Sequence, residues 1–115
     1  MSIVRHKPSK ILCGAVEANG MVYVAGTTAD KLPSSVKAQT EDILGKIDAL
    51  LAAAGSHKSK IVSATIWVTD IRFRDEMNEA WIAWVDSNNL PARACISAQL
   101  ANPQMFVEIA VIAAK

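Results

Sequence analysis

The stretch Phe106-Val107-Glu108-Ile109-Ala110-Val111-Ile112-Ala113 carries one charged side chain in an otherwise apolar run. This constrains the fold more than any other feature of the chain. A run of this length and composition reads as a strand in a sheet built mostly of Val, Ile and Ala, and a carboxylate placed there needs a partner or an opening to solvent. Some ten residues upstream, Pro91-Ala92-Arg93-Ala94-Cys95 begins a second short strand. Side chains alternate along a strand, so Arg93, Cys95 and Ser97 share one face while Ala94, Ile96 and Ala98 share the other. Asn102-Pro103 between the two strands is a turn signal. If the strands fold as a hairpin near Leu100-Ala101, paired residue numbers sum to about 201, and Arg93 faces Glu108 beside the Cys95 thiol. Such a pair has two readings: a structural cross-strand ion pair, or an anion site with an adjacent acid/base group.

The rest of the chain supplies the remaining layers. Residues 1–10 are polar and read as a loose lead-in. Ile11–Val16 and Met21–Gly26 are strands around Asn19-Gly20, a dipeptide that favours the two-residue hairpin turn because both positions tolerate positive φ. Ser34-Ser35 offers a helix N-cap. Ile43, Leu44, Ile47, Leu50, Leu51 and Ala54 then recur at helical spacing, with Gly55 placed to end the helix. Ile61–Thr69 is a strand, with Val62, Ala64, Ile66 and Val68 on one face. A second helix runs from about Phe73 to Val85, its apolar stripe of Phe73, Met77, Ala80, Trp81 and Trp84 reading as core packing. Pro91 prevents its continuation. The order β-β-α-β-α-β-β makes residues 1–115 a single α+β domain with two helices on one face of a mixed sheet.

Composition limits the function classes. Half the residues (51%) are hydrophobic and 20% are charged, an apolar excess for a 115-residue chain that points to a subunit interface. No apolar stretch approaches the length a spanning helix needs, and Met1–Pro8 lacks the apolar core of a signal peptide. The expectation is therefore a cytoplasmic protein without a membrane partner. Twelve basic against eleven acidic residues give no basic stripe for nucleic acid. Cys13 and Cys95 show no paired-cysteine spacing, and His6 and His57 lie far from other ligand-type residues, so neither a metal nor another cofactor is expected.

Pro91-Ala92-Arg93-Ala94-Cys95 followed by Val107-Glu108-Ile109 resembles the C-terminal motif of the Rid family, the YjgF-type reactive-intermediate deaminases, whose members are also labelled endoribonuclease L-PSP or translation initiation inhibitor. Asn19–Gly26, Ile43–Gly55 with Ile61–Asp70, and Met77–Trp81 resemble other stretches of the family in the same order. The resemblance covers residues 11 to 114. It implies a chorismate-mutase-like fold whose helix-free sheet face builds a homotrimer, with clefts between subunits. It also implies hydrolysis of small 2-imino acids and their enamine tautomers to 2-keto acids and ammonia. On this resemblance Arg93 binds the substrate carboxylate and Glu108 orders the attacking water. Cys95, Asn78, Ala25 and Gly26 line the substrate site.

These residue types suit that chemistry. A guanidinium holds a carboxylate through two charge-assisted hydrogen bonds, and a carboxylate can position or deprotonate a water. Plainer readings stand beside them: Cys95 as a small apolar side chain, Asn78 as a solvent-facing helix residue. The chain departs from the family pattern at two places. Ala25 stands where the deaminases carry a serine, and Leu12 stands at about the position of a tyrosine; Thr27 and Thr28 are nearby sources of a hydroxyl. The alternatives are a non-catalytic trimer that binds small acids and a ribonuclease or translation inhibitor, with chorismate-mutase-type isomerisation disfavoured by the shortage of cationic side chains on the strands.

Overall fold

Asn19 and Gly20 adopt positive φ values of 52° and 73°, so the dipeptide forms the expected tight turn. It joins β2 (Cys13–Ala18) to β3 (Met21–Thr27). The structure is a computed structural model describing residues 2–115. Part of the expected loose lead-in is a strand: β1 (Val4–Pro8) pairs antiparallel with β2, matching Val4 with Glu17 and His6 with Ala15. Its sequence, Val-Arg-His-Lys-Pro, lacks the apolar alternation of a buried strand. It lies at the sheet edge, where charged residues and proline discourage pairing with other chains.

The first helix, α1 (Val36–Ala53), begins at Ser35, whose side chain accepts a hydrogen bond from the Ala38 N–H, and Gly55 follows its C-cap with φ of 77°. Strand β4 (Ile61–Val68), helix α2 (Arg74–Trp84), β5 (Ala92–Ser97) and β6 (Val107–Ala114) complete the domain. The six strands form one sheet in the order β1-β2-β3-β6-β4-β5, with β4–β5 parallel and every other pair antiparallel. The element order is thus β-β-β-α-β-α-β-β, one strand more than the sequence reading, with both helices on one face.

The expected hairpin between the last two strands does not form. A strand–helix–strand crossover delivers its second strand parallel to the first, and β5 accordingly lies beside β4. Strand β4 pairs with β6 on its other side and separates the two. The turn at Asn102-Pro103 exists, but residues 98–106 carry the chain past β4 instead of folding it back on β5.

Alternation assigns the two faces. Val107, Ile109, Val111 and Ala113 of β6 are buried beneath the helices with Ala64, Ile66 and Val68 of β4, against Ile43, Leu44, Ile47 and Leu51 of α1. Val62 does not share that face: a register shift between Ile61 and Ser63 turns it outward, and Ile61 is buried in its stead. On the helix-free face, neighbouring strands align Ile96, Trp67 and Glu108 in one row, and Ser63, Ile112, Tyr23 and Val16 in another.

A fully buried polar residue fixes the 98–106 crossing. Gln39 of α1 donates from Nε2 to the carbonyls of Gln104 (2.8 Å) and Ser34 (3.1 Å), and its Oε1 accepts from the Phe106 N–H (2.8 Å). Gln39→Leu is expected to destabilise the domain by about 2 kcal/mol, because buried backbone groups lose their partners. Denaturant unfolding that left the midpoint unchanged would show that water replaces the amide.

Candidate functional site

The structure places the expected site residues in two groups. The first lies where β5 meets α2. Arg93 pairs with Ala64 of β4, and Cys95 with Ile66, so both point to the helix side of the sheet. The Arg93 guanidinium donates from Nη1 to Asn78 Oδ1 at 2.7 Å and lies 5.5 Å from the centre of the Trp81 ring. One turn of α2 separates Asn78 from Trp81, so a hydrogen bond and a cation–π contact hold the same guanidinium. Asn78 is therefore not a plain solvent-facing residue. Arg93 is half-buried and forms no ion pair among the described residues. With one of its five N–H donors on Asn78, it retains a fork for a planar anion. Cys95 packs against the edge of the core, in keeping with its reading as a small apolar side chain.

The second group lies on β6 and β3. Glu108 is opposite Trp67 of β4, on the face that no helix covers. Its carboxylate lies against Gly26, so closely that a Cβ at that position would collide with Oε2. Glycine at residue 26 leaves the carboxylate its place. Ala25 precedes it beside the register shift of β3, between Val24 and Thr27. Glu108 is half-buried and forms no ion pair among the described residues.

Arg93 and Glu108 do not face each other within one chain. They sit on opposite faces of the sheet, two strands apart and offset by three residues, which by strand geometry separates their Cα atoms by about 14 Å. The structural ion pair between them is excluded on the same ground.

Ala25 and Gly26 also line a groove of about 550 Å³ between α1 and the ends of β2 and β3. Leu12, Thr27 and Thr28 contribute to its wall. The Thr27 hydroxyl is engaged, donating to the Ala25 carbonyl at 2.8 Å, whereas Thr28 holds Lys46 through its backbone carbonyl. The loop at the groove's rim is tied to α1. The N–H groups of Lys31 and Asp30 donate to Asp42 Oδ2 at 3.1 and 2.8 Å and hold its carboxyl below the usual carboxylate range. Lys46 donates to Asp30 at 2.8 Å. The sequence reading missed this groove and the part played by Trp81, which it took for core packing alone. Among the described residues no cluster of His, Cys, Asp and Glu could hold a metal ion, and no helix is long and apolar enough to cross a membrane.

An α+β domain with two helices over one face of a six-stranded mixed sheet is the fold of a recognised class of small proteins. The family model described as Endoribonuclease L-PSP matches residues 4–115. A RutC family protein of Haemophilus influenzae is 40% identical, over 98% of each chain. Among solved structures, a YjgF-family protein of Neisseria meningitidis superposes with a TM-score of 0.97 at 37% identity, covering 100% of this chain and 96% of that one. A Rid-family protein of Yersinia pestis superposes with a TM-score of 0.87 at 29% identity, covering 94% and 90%. The chain belongs to the YjgF/RutC family, also called Rid.

Proposed function

We propose that the protein hydrolyses small, reactive 2-imino acids and their enamine tautomers to 2-keto acids and ammonia, in a homotrimer whose sites lie between subunits. The observation that carries this reading is the state of Arg93: a half-buried guanidinium, oriented by Asn78 and Trp81, with no carboxylate among the described residues paired to it. A cation held in this way suits a substrate carboxylate. Glu108 is the complementary half, a carboxylate without a cation, lodged against Gly26. A second copy of the chain can bring the Glu108 group of one subunit to the Arg93 group of the next.

The helix-free sheet face supports such an assembly. Tyr23, Val62 and Ile96 are nearly half exposed there, and Trp67, Ala110 and Ile112 lie among them. An apolar sheet face without a covering layer is the surface that oligomers bury. Three copies of the 12.3-kDa chain give an expected mass of about 37 kDa. Sedimentation equilibrium at micromolar concentration checks it, and a monomer or dimer mass would contradict the proposed clefts.

In the proposed reaction Arg93 fixes the carboxylate and so sets the adjacent C=N carbon against a water held by Glu108. Water adds to that carbon of the protonated imine as Glu108 takes its proton, and the nitrogen becomes a neutral amine. Glu108 then returns this proton to the nitrogen of the carbinolamine and accepts the hydroxyl proton as the C–N bond breaks, which expels ammonia and leaves the keto acid. The imine carbon is already electrophilic, so orientation and a placed water supply most of what is needed. The test is the decay of imines generated in situ by an amino-acid oxidase, followed with and without the protein. Acceleration with release of ammonia is expected. Binding of 2-keto acids without acceleration would favour a non-catalytic small-acid binder.

A further inference from the structure

Glu108 stands on a strand with neighbours on both sides, β3 on one and β4 on the other. The two flanks differ in size. Gly26 of β3 has no side chain, and the Glu108 carboxylate occupies the place that a Cβ would take there. The residue of β4 paired with Glu108 is Trp67, which carries the largest side chain of any residue type. Residues directly opposite in an antiparallel pair share a face and place their Cβ atoms about 4.5–5.5 Å apart. Along β6 itself the next residue on that face is Ala110, too short to direct a carboxylate. A glutamate side chain can lean over either flank, and no ion pair among the described residues draws Glu108 to one side. Shape is left as the cause: an indole on the β4 side closes that direction and leaves the space over Gly26. Trp67 is half-buried on the helix-free face and stands outside the core beneath the helices.

We infer that Trp67 is a positioning residue for the reaction: its ring fences the Glu108 carboxylate onto Gly26, where the attacking water is held. The inference rests on the proposed deaminase reading, because it takes the place of Glu108 to set the place of that water. Trp67 acts through Glu108 and not on the substrate. It therefore governs turnover, while the carboxylate contact belongs to Arg93 of the neighbouring subunit. Without the ring, Glu108 samples rotamers over both strands, and the water is aligned for a smaller share of the time. A phenyl ring at residue 67 fills the same flank and serves nearly as well.

The test measures kcat and KM for the imine derived from leucine in the wild type, Trp67→Ala, Trp67→Leu and Trp67→Phe. Sedimentation checks that each variant has the wild-type mass at the assay concentration. Trp67→Ala should lower kcat by roughly 10- to 100-fold, with KM changed by less than about 2-fold. Trp67→Phe should keep kcat within about 3-fold of wild type. Trp67→Leu should fall between them, and it carries the test if the alanine variant does not assemble. Val62→Ala trims the same face five residues away along β4 and should leave both constants unchanged. In a Gly26→Ala background the carboxylate has already lost its place, so Trp67→Ala should cost less than about 2-fold more. An unchanged kcat in Trp67→Ala and Trp67→Leu would overturn the inference and leave the deaminase reading standing. So would losses that multiply in the double variant, or a loss that disappears once higher protein concentration restores the mass. A wild type inactive on every imine would remove that reading and this inference with it.

Discussion

Replacing Arg93 by alanine is expected to lower kcat/KM for 2-imino acids by roughly 30- to 1000-fold while leaving the fold intact. The figure corresponds to the loss of a two-pronged carboxylate contact worth on the order of 2 to 4 kcal/mol. The fold should survive because Arg93 lies at the sheet edge and is only half-buried; its removal leaves Asn78 with an unpaired but reachable amide and Trp81 with an open ring face. Arg93→Lys should recover only part of the loss. An ammonium keeps the charge but cannot bridge both oxygens of a carboxylate while also donating to Asn78. Asn78→Ala tests the positioning side of the same arrangement: the guanidinium keeps its charge and loses its orientation, so KM should rise more than kcat falls. Cys95→Ser should be much milder than any of these. Full activity of Arg93→Ala on 2-imino acids would require the deaminase assignment to be dropped.

Glu108→Gln is expected to have the larger effect on turnover. A positioned proton acceptor contributes about 100- to 10,000-fold, and the amide can still hold a water against Gly26 but cannot take its proton. Most of the loss should therefore fall on kcat, with binding of 2-keto acids little changed. Near-wild-type turnover would mean that placing the water is sufficient. Gly26→Ala should resemble Glu108→Gln for a steric reason: the new Cβ occupies the carboxylate's place, and Glu108 must swing away.

Much of the fold is legible in the sequence because local signals agree. The Asn19-Gly20 turn, the Ser35 cap, the helical spacing from Ile43 to Ala54 and the alternation from Val107 to Ala113 each name their element. Strand β1 escapes such reading because its partner, β2, supplies the pairing that its own charged sequence does not advertise. The order of β4, β5 and β6 escapes it for a different reason. A turn signal reports that the chain bends, not which strand it bends toward, and the crossover through α2 sets β5 beside β4. The numerical match of Arg93 with Glu108 thus has no bearing on their pairing. The membership of the two groups, Arg93 with Asn78 and Cys95, Glu108 with Ala25 and Gly26, follows from a family pattern that spans the chain. Their separation onto opposite faces is visible only when register is known.

This separation gives the account its most direct test. Arg93→Ala and Glu108→Gln should each keep no more than a few per cent of wild-type activity alone, roughly 1/30 at most. If each site joins Arg93 of one subunit to Glu108 of its neighbour, mixed trimers contain some sites in which both residues are intact. Co-refolding the two variants in equal amounts should restore about a quarter of wild-type activity, the share of interfaces expected from random assembly of a closed ring. Mixed trimers that form in the expected proportions, verified by native mass spectrometry, and remain as inactive as either parent would contradict a site shared between subunits.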